Sequence, residues 1–332
     1  MSITIKDIAR LANVSHTTVS RALNGSPLIS EATKDKIKKI AKENNYVPNT
    51  SAQSLKLNRS FNIGIFFTTL ARETSASFFY KAVIGANKVI GDQYNLVIRE
   101  SDSKMDYEKL TKKHFDGIIM VSQSERDEIH IQEIVKRDIP LVVINRKVEL
   151  DKISSFISND FEGVKEAIQY LIDSGHKKIG FIKGQKGFQN TYERENGFRL
   201  AMLENGVDVI EPFVVEGDYS FESGYKAMSA LLISEELPTA VFSSNDDMAI
   251  GAMKAIHESG LKVPENISIM GFDEGESGKY LTPSLTTVSR DIEYITYLGT
   301  QKLLEMLKKR DLKSEIVMHP SQLIIRESVK KL

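Results

Sequence analysis

At 332 residues the chain is long enough to bury two or three substantial cores, and the absence of cysteine removes disulfides, thiol nucleophiles and cysteine metal sites. No apolar run approaches the length of a membrane span, and charges interrupt the N-terminus too early for a signal peptide, so a soluble, cytoplasmic protein with no membrane partner is expected. The net charge of −1 hides an asymmetry: residues 1–59 carry ten Lys and Arg against four acids, net +6, leaving −7 for the remainder. A basic arm on an acidic body implies that the arm approaches a polyanion, unless Lys34 to Lys42 are simply the solvated face of a helix.

Thr4 to Asn24 (TIKDIARLANVSHTTVSRALN) reads as two short helices around a tight turn. Thr4 with Asp7 three residues on forms an N-cap with an acid in the first turn, and Ile5, Ile8, Ala9 and Ala12 recur at helical spacing. Asn13 suits a left-handed turn, and Ser15 is the next N-cap. Val19, Ala22 and Leu23 give the second helix a narrow apolar stripe, opposite His16, Thr17, Ser20 and Arg21. A helix-turn-helix reader needs this arrangement, but an ordinary helical hairpin with a solvated face has it too. Ser30 caps a third helix with Glu31 in its first turn and Ile37, Ile40 and Ala41 on its buried side, ending near Asn44-Asn45 ahead of Pro48. Residues 49–59 (NTSAQSLKLNR) form a polar linker with only Ala52, Leu55 and Leu57 apolar, too short for a stable isolated helix.

From Phe61 the pattern changes. Short β-rich runs at 62–67, 95–99, 117–122, 141–145, 178–183, 239–244 and 267–272 alternate with helical segments such as 78–90. There Phe78, Phe79, Ala82, Val83, Ala86, Val89 and Ile90 trace one face. Strands rich in Ile and Val on both faces, separated by helices, predict parallel sheets covered on both sides. Residues 60–332 exceed a comfortable single core, so two similar lobes are expected. No G-x-G-x-x-G follows a strand, which argues against a dinucleotide site.

Residues 4–24, with Tyr46-Val47-Pro48-Asn49 and Ala52-Gln53-Ser54-Leu55, resemble the headpiece and hinge of the lactose-repressor (LacI/GalR) transcription regulators, and the resemblance continues along the chain. It implies an all-α helix-turn-helix headpiece over 1–48, a hinge helix over 49–59, and an α/β body over 60–332 like the periplasmic sugar-binding proteins. The body would have one parallel-sheet lobe from 60–159 and 290–318 and another from 160–289 and 319–332. In the headpiece the resemblance places His16, Thr17 and Arg21 against base edges, Arg21 as the guanine reader. Thr18, Ser20, Asn24, Ser30, Thr33 and Asn49 would hold phosphates. Ala52 and Leu55 match a hinge that becomes helical on DNA, with Leu55 wedged into a minor-groove step. Gln53 departs from the Arg that the family often has there.

In the body, polar residues follow the strands where a cleft ligand would lie: Asn145-Arg146, Asn245-Asp246 and Asp273, with Arg194 in the loop entering the helix that continues Gly197-Phe198-Arg199. Two Arg and two acids suit a polyhydroxylated ligand, with Phe79 and Tyr219 as aromatic platforms. Each residue alone is equally readable as a cap or salt-bridge partner. The family pattern singles out Arg194, Asn245 and Asp273, whereas Phe79, Arg146 and Tyr219 stand at positions that vary with the effector. An enzyme would use Asp246, Asp247 and Asp273 as acid/base carboxylates and His176 as a base. However, Ser174 to Lys178 reads as a helix-end turn at the far end of its strand from the cleft, Gly184 to Gly187 lacks P-loop spacing, and no metal-ligand spacing appears.

The expected protein is therefore a non-enzymatic, ligand-responsive repressor of carbohydrate genes, with no cofactor or metal. It would bind a pseudo-palindromic operator in double-stranded DNA as a homodimer and hold a small sugar or sugar phosphate between its lobes. Ligand would change the lobe angle, and with it the spacing of the hinges. The other readings are a sugar-binding protein without DNA activity and a regulator answering to a non-sugar such as a nucleobase. No Leu heptads follow the last expected strand, Gln322 to Arg326, so a helical-bundle tetramer is not expected.

Overall fold

The computed structural model describes residues 3–23, 26–46, 59–70, 74–101, 105–309 and 313–332. The chain forms two compact units, Met1–Arg59 and Ser60–Leu332.

The first unit contains helices α1 (Ile5–Ala12), α2 (His16–Leu23) and α3 (Glu31–Glu43). Their ends are fixed by the residues that the sequence singles out. The Thr4 N–H and hydroxyl donate to Asp7 Oδ2 at 3.0 and 2.7 Å. Asn13 closes α1 in the left-handed conformation, and Ser15 Oγ accepts the Thr18 N–H at 3.0 Å to start α2. Ile8, Val19, Ala22 and Ile37 are fully buried in a small shared core. Two of the lysines make contacts within the unit, one of them buried. Lys36 Nζ donates to the Ala12 carbonyl at the end of α1, and the buried Lys34 pairs with Glu31 at 2.7 Å.

In the second unit, a six-stranded parallel sheet runs in the order β11 (Ile316–His319), β5 (Ser154–Ser158), β4 (Leu141–Ile144), β3 (Gly117–Val121), β1 (Asn62–Phe67), β2 (Asn95–Glu100). A four-stranded parallel sheet runs β7 (Val214–Val215), β6 (Ile179–Ile182), β8 (Ala240–Ser243), β9 (Ser268–Met270). Both faces of the central strands are covered, while the edge strands β2 and β11 of the six-stranded sheet are largely exposed. Ile119 and Val121 of β3 join one core with helices α4 (Ala76–Ile90) and α10 (Ile292–Lys308), while Ile118 and Met120 join another with α5 (Glu128–Lys136). In the second lobe α6 (Asp160–Asp173) and α7 (Gln189–Glu204) cover one face, α8 (Phe221–Leu231) and α9 (Asp246–Glu258) the other.

The chain passes between lobes after β5, after β10 (Thr287–Ser289) and after β11. β10 pairs antiparallel with β12 (Gln322–Ile324) at the crossing. The seven β-rich runs of the sequence are strands β1, β2, β3, β4, β6, β8 and β9. Strands β5, β7, β10 and β11 carry no comparable signal. β5 is Ser154-Ser155-Phe156-Ile157-Ser158, a polar-looking run that is buried throughout because its hydroxyls bond locally, as Ser155 does with Val148.

His176 sits at the far end of β6 and is fully buried. Its Nε2 faces the Lys330 carbonyl at 3.0 Å and its Nδ1 the Thr239 hydroxyl at 3.0 Å. It ties the final segment to the second lobe, where the Leu332 N–H also donates to Ser174 O. Burial pushes the imidazole pKa below its ordinary value. The unfolded chain therefore binds this proton more readily, and the stability it carries is present above about pH 6.5 and lost as pH falls below it. Thermal unfolding from pH 8 to 5 should show His176→Gln less stable than wild type at pH 8, with a flatter decline toward pH 5.

Candidate functional site

Helix α2 owes its orientation to Val19 and Ala22, which bury one face and leave the opposite face outward. His16 and Ser20, and Thr17 and Arg21, are i,i+4 pairs on that outer face. His16, Thr17 and Arg21 are exposed, and Ser20 is half-buried. Thr18 and Ser30 are engaged in caps: Ser15 and Thr18 share a hydroxyl bond of 2.9 Å, and Ser30 and Thr33 one of 2.8 Å. Asn24, Asn49, Ala52 and Leu55 lie outside the described residues.

In the second unit a narrow cleft of about 20 Å³ lies between the lobes, lined among others by Phe78, Asn145, Arg194, Tyr219, Asp273 and Arg290. Ser75, Gln123, Phe188, Asn190 and Asn245 complete the lining. Its foundation is a buried charge cluster. Arg194 has no exposed surface, and its Nε and Nη2 donate to Asp160 Oδ2 at 2.9 and 2.7 Å. Its Nη1 bonds the Ser244 carbonyl, and its guanidinium lies 3.9 Å over the Phe272 ring. Arg194 is thus in the second turn of α7 rather than in the loop before it. Burial raises the pKa of Asp160, but the Arg194 and Arg290 guanidinia outweigh it and hold the carboxyl below its ordinary range.

Arg290, just past β10, bridges the lobes. Nη1 donates to Asn145 Oδ1 at 2.8 Å, and Nε lies 2.6 Å from Asp273 Oδ1. That ion pair lacks hydrogen-bond alignment: Arg290 Nε and Asp273 Oδ1 are both buried without a hydrogen-bond partner. Asn145 also donates to Asn190 across the cleft at 2.9 Å, and Asn190 to Asp160 at 2.8 Å. The backbone closes one side of the cleft, with Gln189 N–H donating to Gln123 O at 3.0 Å.

Tyr219 is held at a left-handed φ of 71°. Its carbonyl accepts from Asn245 Nδ2 at 2.9 Å, its hydroxyl shares a bond with Thr191 at 2.8 Å, and its ring stacks on Phe188. Asn245 is also the N-cap of α9, accepting the Met248 N–H. Gly184 has its own reason to be glycine: a Cβ there would fall 2.1 Å from the Tyr219 ring.

Of the six body residues expected at the site, Arg194, Tyr219, Asn245 and Asp273 line the cleft, and Phe79 and Arg146 do not. Phe78 takes the platform position, with Arg290 5.0 Å over its ring; one residue on, about 100° around the helix, Phe79 turns to Phe67 in the core. Arg146 points away to Ser122 Oγ at 2.8 Å and Glu128 at 3.1 Å, while its neighbour Asn145 faces the cleft. Asp160 and Arg290 were hidden because each follows a strand, β5 and β10, that the sequence does not announce.

Asp246 and Asp247, the carboxylates of the enzyme reading, do not line the cleft. Asp246 is buried and accepts from Thr287 Oγ1 and Gly275 N, both at 2.5 Å. Burial pushes Asp246 up to about 8 and Asp247 up to about 7, with the Asp273 charge adding to both. Among the described residues no group of three His, Asp or Glu side chains could hold a metal, and no helix is long and apolar enough to cross a membrane.

Residues 4–49 match the model of bacterial regulatory proteins of the lacI family, and residues 168–329 that of the periplasmic binding protein-like domain. The chain is 46% identical over 330 residues to the Bacillus subtilis (strain 168) protein named "Probable HTH-type transcriptional repressor ExuR", with 99% of each chain covered. It superposes on the lac repressor dimer bound to operator and the anti-inducer ONPF with a TM-score of 0.80 at 26% identity, covering 99% of this chain and 100% of that one. A complex of the transcriptional regulator CelR with cellobiose gives 0.73 at 26% identity, covering 98% and 99%. With the capped reader helix and the α/β body joined in one sequence, the chain belongs to the lacI family of bacterial regulatory proteins.

Proposed function

We propose that the protein is a cytoplasmic, non-enzymatic repressor that binds a pseudo-palindromic operator as a homodimer and answers to a sugar held between its lobes. The observation that carries the DNA half is α2: its polar face is presented outward by a buried Val19–Ala22 stripe, within a unit of net charge +6. Residues 1–48 serve as the reading module, 49–59 as the hinge and 60–332 as the effector body. His16, Thr17 and Arg21 read base edges; Thr18, Ser20, Ser30 and Thr33 set register on phosphates, joined by Asn24 and Asn49, with Ala52 and Leu55 in the minor groove.

The effector half rests on the cleft's chemistry. Misaligned, buried Asp273 Oδ1 and Arg290 Nε are an acceptor and a donor that a pair of adjacent hydroxyls on a ligand would satisfy together. Phe78 and Tyr219 offer apolar faces for a sugar ring. Arg290 touches both lobes, so a ligand that engages it binds one lobe arrangement better than another. That differential affinity is what linkage to DNA binding requires. The relative CelR, solved with cellobiose, is consistent with a carbohydrate effector.

On an operator recovered by selection from random duplexes, Arg21→Ala should weaken binding by about 1–3 kcal/mol and relax preference at one base pair; a uniform loss over all sequences would assign Arg21 to a phosphate instead. A thermal-shift panel of aldopentoses, aldohexoses and their uronic acids should find a sugar that stabilises the wild type. Asp273→Ala should abolish that shift while operator binding persists, and a shift of wild-type size in the variant would remove Asp273 from the site. Arg194→Met should lose the shift and also about 3–5 kcal/mol of stability, measured by denaturant unfolding, because the buried Asp160 loses its two charged hydrogen bonds and keeps only the longer ion pair with Arg290 at 3.7 Å.

A further inference from the structure

We propose that Lys81 is a positioning residue for the effector site, acting across the cleft through the turn that carries Asp273. Lys81 lies on α4 of the first lobe, and its Nζ donates to two successive carbonyls of the second lobe, Asp273 O and Glu274 O, both at 2.9 Å. These two non-glycine residues have φ values of 102° and 50°, the left-handed region that side chains disfavour. Such a turn persists only when its surroundings hold it. Its contacts include Lys81 on the two carbonyls, Asp246 Oδ2 on the Gly275 N–H at 2.5 Å, Arg326 on the Glu274 carboxylate at 3.2 Å and the Asp273 N–H on the Val288 carbonyl at 2.8 Å. Of these, the Lys81 contact is the one made from the first lobe. Ser77, one turn earlier on the same face of α4, lies beside the same turn, 3.9 Å from where a Cβ on Gly275 would be.

The carboxylate of Glu274 is engaged by Arg326 and approached by Lys279, so the hold of Lys81 is on backbone carbonyls, whose direction depends on the turn's conformation. The ammonium therefore stabilises the one backbone shape that aims the Asp273 carboxylate at Arg290. A relaxed turn would redirect both carbonyls and carboxylate, so lobe closure and effector recognition are joined at this point.

Hydrogen exchange on the full-length protein tests this without any effector. In Lys81→Met the amides of Asp273 and Gly275 should exchange at least tenfold faster, and Lys81→Arg should restore them to within about twofold. Unchanged exchange in the Met variant, no rescue by Arg, or acceleration spread evenly over both lobes would each overturn the proposal. The second readout rests on the effector reading above. The sugar of the panel with the largest wild-type shift should give less than half that shift with Lys81→Met and most of it with Lys81→Arg; a full shift in the Met variant would show that the turn does not position Asp273. If no sugar shifts the wild type, the sugar reading fails, while hydrogen exchange still decides the role of Lys81.

Discussion

A guanidinium with no exposed surface can exist only where its charge is matched, and the Arg194–Asp160 pair sets the terms for everything around it. Asp160 begins α6 at the point where the chain enters the second lobe, and Arg194 reaches it from α7. The pair fixes two helices against each other and draws in Ser158, Asn190 and the Ser244 carbonyl to complete its hydrogen bonding. Such pairs do not in general stabilise a fold more than apolar packing would. What this one supplies is a rigid, charge-balanced floor on which Arg290 and Asp273 can be left imperfectly satisfied.

That imperfection is the basis for proposing the cleft as the effector site. Fully bonded groups such as Asn145, Asn190 and Asn245 hold the walls, whereas Asp273 Oδ1 and Arg290 Nε, ion-paired with each other, lack a hydrogen-bond partner. The same cleft is spanned by contacts from both lobes: Arg290 with Asn145, Asn145 with Asn190, and Lys81 with the Asp273 turn. A site built from both lobes is what the proposed coupling of effector to lobe arrangement requires. The N-terminal unit solves a simpler problem. Its caps and a handful of buried side chains suffice to turn one helix face outward, with Lys36 closing the end of α1.

Much of this was legible in the residues. Thr4, Asn13, Ser15 and Ser30 mark the helix ends because capping is local chemistry, decided within three or four positions. The Ile- and Val-rich strands mark two covered parallel sheets because burial on both faces demands apolar side chains at every position. The strand ends Asn245 and Asp273 pointed to the cleft for the same topological reason.

Only the tertiary structure decided which neighbour of a pair enters the site. Phe78 rather than Phe79, and Asn145 rather than Arg146, face the cleft because helix phase and strand-end twist relative to the other lobe settle it, and neither is a local property. Asp160, Arg290 and Lys81 stayed hidden for a related reason: their partners lie 34, 145 and 192 residues away in the chain, and a polar side chain declares nothing about so distant a carbonyl or carboxylate until the fold brings them together.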